Sequence, residues 1–348
     1  MNNRLTRRSF IRTAAASSAA LTWLSARNGP NVFAADPAKA ALLARKPPPP
    51  PPTGGTGIPF GLWDVQSGTF ASMSPPFTAS IPWIDQNVVI KELNAFRAMG
   101  AQIFLNLIGS YRKVTNPDGT FSFALWKQNA IDRFKGIDFD TYLADGTVLG
   151  AVIIDDHFAP DVWSGHAIPN TMVEEMGAYV KSIWPMMPVA VRADPKNMQL
   201  PGGWKSVDIA WLQYNPRTKG PNYIQTQMIQ YYPQIDLALV VGLQVLDGGL
   251  GESGVPGFSR GTYTMSYDEV MKYGQMLLGV AQACAFFSWT YPPSVSRKFS
   301  NWNDIYKGLV DLASSPLAKN HKRVPCVRPS KASSPSRFRG GPARCNLR

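Results

Sequence analysis

The stretch Gly150-Ala151-Val152-Ile153-Ile154-Asp155-Asp156-His157 is a short apolar run that stops abruptly in two acids and an imidazole. Five apolar or small residues without polar alternation suit a parallel strand covered on both faces. Six further runs of this kind occupy residues 58–63, 102–108, 188–191, 207–212, 237–243 and 283–289. Between them lie segments of helical period at 87–99, 125–134, 172–183, 223–232, 267–282 and 302–313. Strands alternating with helices over about 260 residues predict a (β/α) TIM-type barrel, a fold that needs roughly 250. Only seven strands are legible, and an eighth is expected after the helix that ends near Ala313. The barrel is therefore either incomplete or closed by a strand that the pattern does not reveal. An open doubly wound sheet is the competing fold.

The remainder of the 348 residues divides around this body. The formal charge of +12 is a property of the ends. Residues 1–46 hold eight Lys or Arg against one acid, and residues 319–348 hold nine against none. The segment between them has eighteen bases and twenty-two acids, so a nucleic-acid partner loses its electrostatic support. Thr6-Arg7-Arg8-Ser9-Phe10-Ile11-Arg12 resembles the twin-arginine export signal. A weakly apolar stretch over 13–26 follows, too short for the roughly 20 residues of a membrane span, and then small residues that suit signal peptidase. The resemblance implies recognition by the twin-arginine translocation machinery, a cleaved leader over 1–35, and a periplasmic or extracellular destination with no transmembrane span. Residues 36–56 form a linker that includes the proline run 47–52, a stiff spacer. The barrel is expected over 57–316, and the basic segment 317–348, which lacks apolar period, is expected to be disordered.

Chemistry in such a barrel sits where strands end, because the following loops converge on one opening. The strand ends here are polar throughout: Trp63-Asp64, Asn106, Asp155-Asp156-His157, Arg192-Ala193-Asp194, Gln213-Tyr214-Asn215, then Gln244 with Asp247, and Trp289. Glycosidic hydrolysis needs two carboxyl groups from different strands, one an acid and one a base or nucleophile. Asp155 or Asp156 is the central candidate; adjacent strand residues face opposite ways, so one of the two is expected to enter the mouth. Its partners are sought among Asp64, Asp194, Asp247 and Glu252. Trp63, Asp64, Asn106, His157, Arg192, Gln213, Tyr214, Gln244 and Trp289 are candidate ligand-binding groups, with the tryptophans, Trp163 included, as platforms for sugar rings.

Val152-Ile153-Ile154-Asp155-Asp156-His157, Phe286-Phe287-Ser288-Trp289 and the Trp126 helix before Asp138-Phe139-Asp140 resemble the TIM-barrel glycosidase superfamily. That resemblance implies a carbohydrate substrate, acid and base carboxylates, and no cofactor. Two other readings use the same residues. One is a glycan-binding protein without turnover. The other is a metal-dependent hydrolase built on Asp155, Asp156, His157, Asp161 and His166, although no HExxH helix is present. Gly249-Leu250-Gly251-Glu252-Ser253-Gly254 spells GxGxxG, but Val255-Pro256-Gly257 follows in place of a helix, so it is expected to be a mobile loop over the mouth. Cys284 is expected to be a small core residue. Cys326 and Cys345 are spaced for no zinc site, and an oxidising compartment permits them to pair.

Overall fold

The computed structural model describes residues 56–290 and 293–329. The leader and the proline run fall outside the described residues. Eight parallel strands close into a barrel in chain order: β1 Phe60–Trp63, β2 Ala79–Ile81, β3 Gln102–Asn106, β4 Val148–Asp155, β5 Val189–Arg192, β6 Ile209–Tyr214, β7 Ala238–Leu243 and β8 Ala283–Ser288. β8 pairs with β1 through Phe60 with Phe286 and Leu62 with Ser288, which seals the ring.

The strand missing from the sequence pattern is β2, and it lies after β1 instead of after Ala313. It is only Ala79-Ser80-Ile81, with Pro75 and Pro76 shortly before it. Its central Ser80 is fully buried and donates to the Val65 carbonyl oxygen, so a polar residue occupies a core position. Three residues with a serine in the middle carry no readable apolar run. The turn signal Asn116-Pro117-Asp118-Gly119, flanked by residues 111–114 and 120–123, predicts a small hairpin over the barrel mouth, and here too the structure differs. Tyr111–Val114 is a helical turn, and only Thr115 bridges Phe121 across the tight turn.

Strand alternation sorts the side chains into two layers. Outward-facing Phe60 and Phe286 stack with their ring centres 4.3 Å apart, and Phe77 links them to Tyr306 on the helix Trp302–Ser314. Inward-facing Trp63, Trp211, Phe287 and Phe104 form a chain of ring contacts across the barrel, with Trp63 5.3 Å from Trp211. Gly242 makes room for this layer. A Cβ there would lie 1.8 Å from the Phe287 carbonyl oxygen and 3.1 Å from Trp211 Nε1.

The chain does not leave the fold at Pro316. After the helical turn Pro316–Lys319 it crosses the face where strands begin, and His321 is buried. Gly57 N donates to the His321 carbonyl at 2.9 Å and Ile58 N to that of Ala318 at 3.1 Å. Arg323 reaches Gln102 at the start of β3, and Arg328 reaches the Trp204 carbonyl before β6. Cys326 is disulfide-bonded to Cys284 at the start of β8. Cys284 is thus a core residue and also half of a staple; Cys345, its tail neighbour in sequence, lies outside the described residues. The bridge closes a loop of 42 residues. Replacing both Cys284 and Cys326 by Ser is expected to lower the unfolding free energy by about 2–4 kcal/mol, and reductant should bring the unmodified protein to the same urea midpoint.

Candidate active site

Arg192 ends β5 with its side chain turned into the barrel mouth, almost wholly buried. Its Nη2 meets both Asp155 Oδ1 and, at 3.0 Å, Asp156 Oδ2. Its Nη1 donates to Gln213 Oε1 on β6. Burial alone would lower the guanidinium pKa, but the two aspartates outweigh it and hold the group above its ordinary value.

Both acids of the Asp155-Asp156 pair therefore reach one cation, although alternation predicts that they diverge. The cause is backbone geometry. Asp156 lies just past β4 with φ of +47°, a left-handed conformation that swings its side chain back towards Arg192. Its carbonyl oxygen accepts from Trp163 Nε1 at 3.1 Å and from Ala159 N at 3.0 Å, which holds the turn. Trp163 is fully buried against Tyr111 and Phe121 and is a brace for Asp156, with no face left for a sugar.

Asp194, two residues beyond Arg192, is buried and anchors a second cluster. Lys219 Nζ and the Tyr223 hydroxyl both lie 2.6 Å from its Oδ2. Burial, and then the adjacent Asp194 carboxylate, push the Tyr223 phenol above its usual pKa, so it remains a donor. Lys219 also donates to the Gln213 carbonyl, tying the loop after β6 to the strand.

These clusters share a cleft of about 230 Å³ at the strand ends. Asp156, Arg192, Asp194, Gln213 and Gln244 line it, as do Trp211, Asn215, Lys196, Asn197, Lys219 and Tyr223. Gln244 accepts from Asn215 Nδ2 at 3.1 Å. Sequence reasoning missed Trp211, Lys196, Asn197, Lys219 and Tyr223. Trp211-x-Gln213-x-Asn215 has the period-2 signature of one inward face, whereas Lys219 and Tyr223 sit on a loop and short helix that only the fold brings back.

The other candidates have local tasks. Tyr214 alternates outward from Gln213, packs 5.4 Å from Tyr273, and donates to the Gly220 carbonyl. Trp63 packs beneath the cleft on Trp211, and Trp289 is buried at the end of β8. Asn106 Oδ1 accepts from Ile108 N at 3.3 Å. His157 faces away, its Nε2 2.7 Å from Asn170 Oδ1, and burial lowers its pKa. Asp247 accepts from Ser259 N, Ser259 Oγ and Thr262 Oγ1 and organises its own loop. That loop is cross-linked, with Gly249 N on the Tyr263 carbonyl and Ser253 Oγ on that of Thr264, and is not the unsupported flap expected of the glycine-rich segment. With His157 on Asn170 and both neighbouring aspartates on Arg192, Asp155, Asp156, His157, Asp161 and His166 do not converge; among the described residues no three His, Cys, Asp or Glu side chains form a metal-binding group.

No protein-family model matches the chain, and no curated protein matches it. Solved structures do. A GH113 β-1,4-mannanase aligns over 75% of this chain and 99% of its own, with a TM-score of 0.50 and 12% identity. An endocellulase from Pyrococcus horikoshii aligns over 74% and 92%, with a TM-score of 0.43 and 11% identity. What this chain shares with the mannanase is the barrel. Their low identity leaves the chemistry to be argued from the residues above.

Asp64 sits apart from the cleft lining, at the end of β1, with φ of +63°. Burial pushes its carboxyl up from 3.8 to about 6, against the pull of hydrogen bonds from Gln66 and the Trp83 backbone. Between these two values the folded chain keeps a proton that the unfolded chain has lost, so the stability contributed by this group falls as pH rises and is gone above about 6. Asp64→Asn is expected to be more stable than the unmodified protein at neutral pH, by up to about 3 kcal/mol. The gap should vanish near pH 4; urea unfolding at both pH values measures it.

Proposed function

We propose that this chain is a carbohydrate-active barrel that hydrolyses a glycosidic bond, with Asp156 and Asp194 as its two working carboxyl groups. The observation that carries the reading is their presence on one cleft, from the ends of neighbouring strands, among amides and aromatic rings that suit sugar hydroxyls and ring faces. Their surroundings suit different roles. Asp194, beside the Lys219 ammonium and the Tyr223 hydroxyl, is placed to serve as base or nucleophile. Asp156 belongs to a pair of carboxyl groups that share one guanidinium. Asp156 is the member of that pair that lines the cleft, and it is assigned the role of proton donor to the leaving oxygen. The barrel shared with the mannanase is consistent with this chemistry but does not supply it.

A second reading has its own support: Asp155, Asp156 and Asp194 all lie against cations, an arrangement that also suits a preorganised binding site without turnover. The two separate in one assay. A panel of neutral α- and β-linked oligosaccharides is incubated with the protein, and reducing ends and binding are both measured. Asp194→Asn and Asp156→Asn are each expected to lower kcat by about 10²- to 10⁴-fold while leaving oligosaccharide binding detectable. Binding by the unmodified protein with no cleavage of any glycan would select the binding reading.

We also propose export by the twin-arginine route to an oxidising compartment. The leader motif supports it, as does the Cys284–Cys326 bridge, since such bridges persist where thiols are not kept reduced. Replacing Arg7 and Arg8 together by Lys is expected to retain the protein in the cytoplasm, as read by cell fractionation.

A further inference from the structure

The segment that crosses the strand-start face is two-sided. Its charged residues are Lys319, Lys322, Arg323 and Arg328, with no acid among residues 317–329. Lys319 and Lys322 are exposed. Half-buried Arg323 and Arg328 reach only the neutral oxygens of Gln102 and Trp204, and exposed Lys205 follows Trp204. Among the described residues none of these five cations makes an ion pair. The acids nearby are mostly taken. In the loops that lead into the strands Asp145 pairs with Arg97 and Asp208 with Lys181, while Asp236, before β7, has no ion pair among the described residues. Glu174 accepts from the backbone N–H groups of residues 205–207. The same segment exposes two apolar side chains, Leu317 at 46% and Val327 at 40%, while Ala318, His321 and Cys326 between them are buried. The disulfide to Cys284 and the pairing of Lys322 with Thr56 hold this arrangement against the barrel.

Cations interleaved with exposed apolar side chains suit the surface of an anionic bilayer, where charged groups meet lipid phosphates and apolar ones enter the boundary between headgroups and acyl chains. A soluble polyanion would use the cations but leave Leu317 and Val327 in water. We infer that the strand-start face docks on an anionic phospholipid bilayer through Lys205, Lys319, Lys322, Arg323 and Arg328, with Leu317 and Val327 as its apolar contacts. The sequence extends the charge on this side: residues 330–348 add five Lys or Arg and no acid, whereas residues 47–318 hold twenty-two acids against eighteen bases. That asymmetry makes the attraction directional, turning the basic face to the lipid and the acidic body away from it. Because the strands end at the other side of the barrel, docking leaves the cleft facing away from the bilayer. The inference goes beyond the carbohydrate reading and does not depend on it.

The test is co-sedimentation of the full-length protein with vesicles of phosphatidylcholine alone, or of phosphatidylcholine and phosphatidylglycerol in equal parts. Binding is expected to the anionic vesicles only, and should weaken with added salt. Lys205→Gln, Lys319→Gln and Lys322→Gln together are expected to lower that affinity about 10²-fold, at about fivefold for each charge near the surface. Leu317→Ser with Val327→Ser should lower it several-fold at unchanged charge, while leaving binding of soluble dextran sulfate as it was. All five positions are exposed, so the urea midpoints of both variants should match that of the unmodified protein. Absence of binding to the anionic vesicles overturns the inference. So does binding that the three lysine changes leave intact, which would place the lipid contact elsewhere in the chain. Vesicle affinity indifferent to Leu317 and Val327, together with tight binding of dextran sulfate, overturns it in favour of a soluble polyanion.

Discussion

The buried guanidinium of Arg192 joins groups from three consecutive strands: Asp155 and Asp156 at the end of β4, its own β5, and Gln213 on β6. A charge so far from water is tolerable only where partners meet it on several sides, and removal of one member of such a buried group is typically worse than replacement of the whole. The contact accounts for much of what surrounds it. It rewards the left-handed turn at Asp156, since only that conformation carries the second carboxylate back to the cation. It also sets which way the Gln213 amide points, with Oε1 turned to the guanidinium.

Around this fixed centre the chemistry is divided by strand. The β4 end contributes a doubly acidic edge, the β5 end a lone aspartate, and the loop after β6 returns Lys219 and Tyr223 to that aspartate. Two carboxyl sites with different partners are thereby kept on one cleft. On the opposite face of the barrel the acid Asp208, just before β6, accepts from Val189 N at the start of β5 and pairs with Lys181. There the segment beyond Pro316 lies across the strand starts, tied to the edge before β1 by backbone hydrogen bonds and to β8 by the disulfide. The disulfide-tied segment and the candidate site thus occupy opposite ends of the same strands, the usual division in this architecture.

The sequence by itself determined seven of the eight strands and the polar residues that close them, because a parallel strand buried on both faces leaves an uninterrupted apolar run and its exit to the mouth leaves an abrupt polar one. It did not reveal β2, whose three residues include a buried serine, nor the partner of Cys284, which sits 42 positions away in a segment that reads as a charged tail. The tertiary structure alone decided which strand-end groups face one another. A single residue of alternation sends Tyr214 outward and Gln213 inward, and a single left-handed residue brings Asp156 beside Asp155. Spacing along the chain reports the period of a strand, but not its register against neighbours or the path of a returning loop. Those depend on closure of the ring, a contact between residues more than two hundred positions apart, such as Phe60 and Phe286.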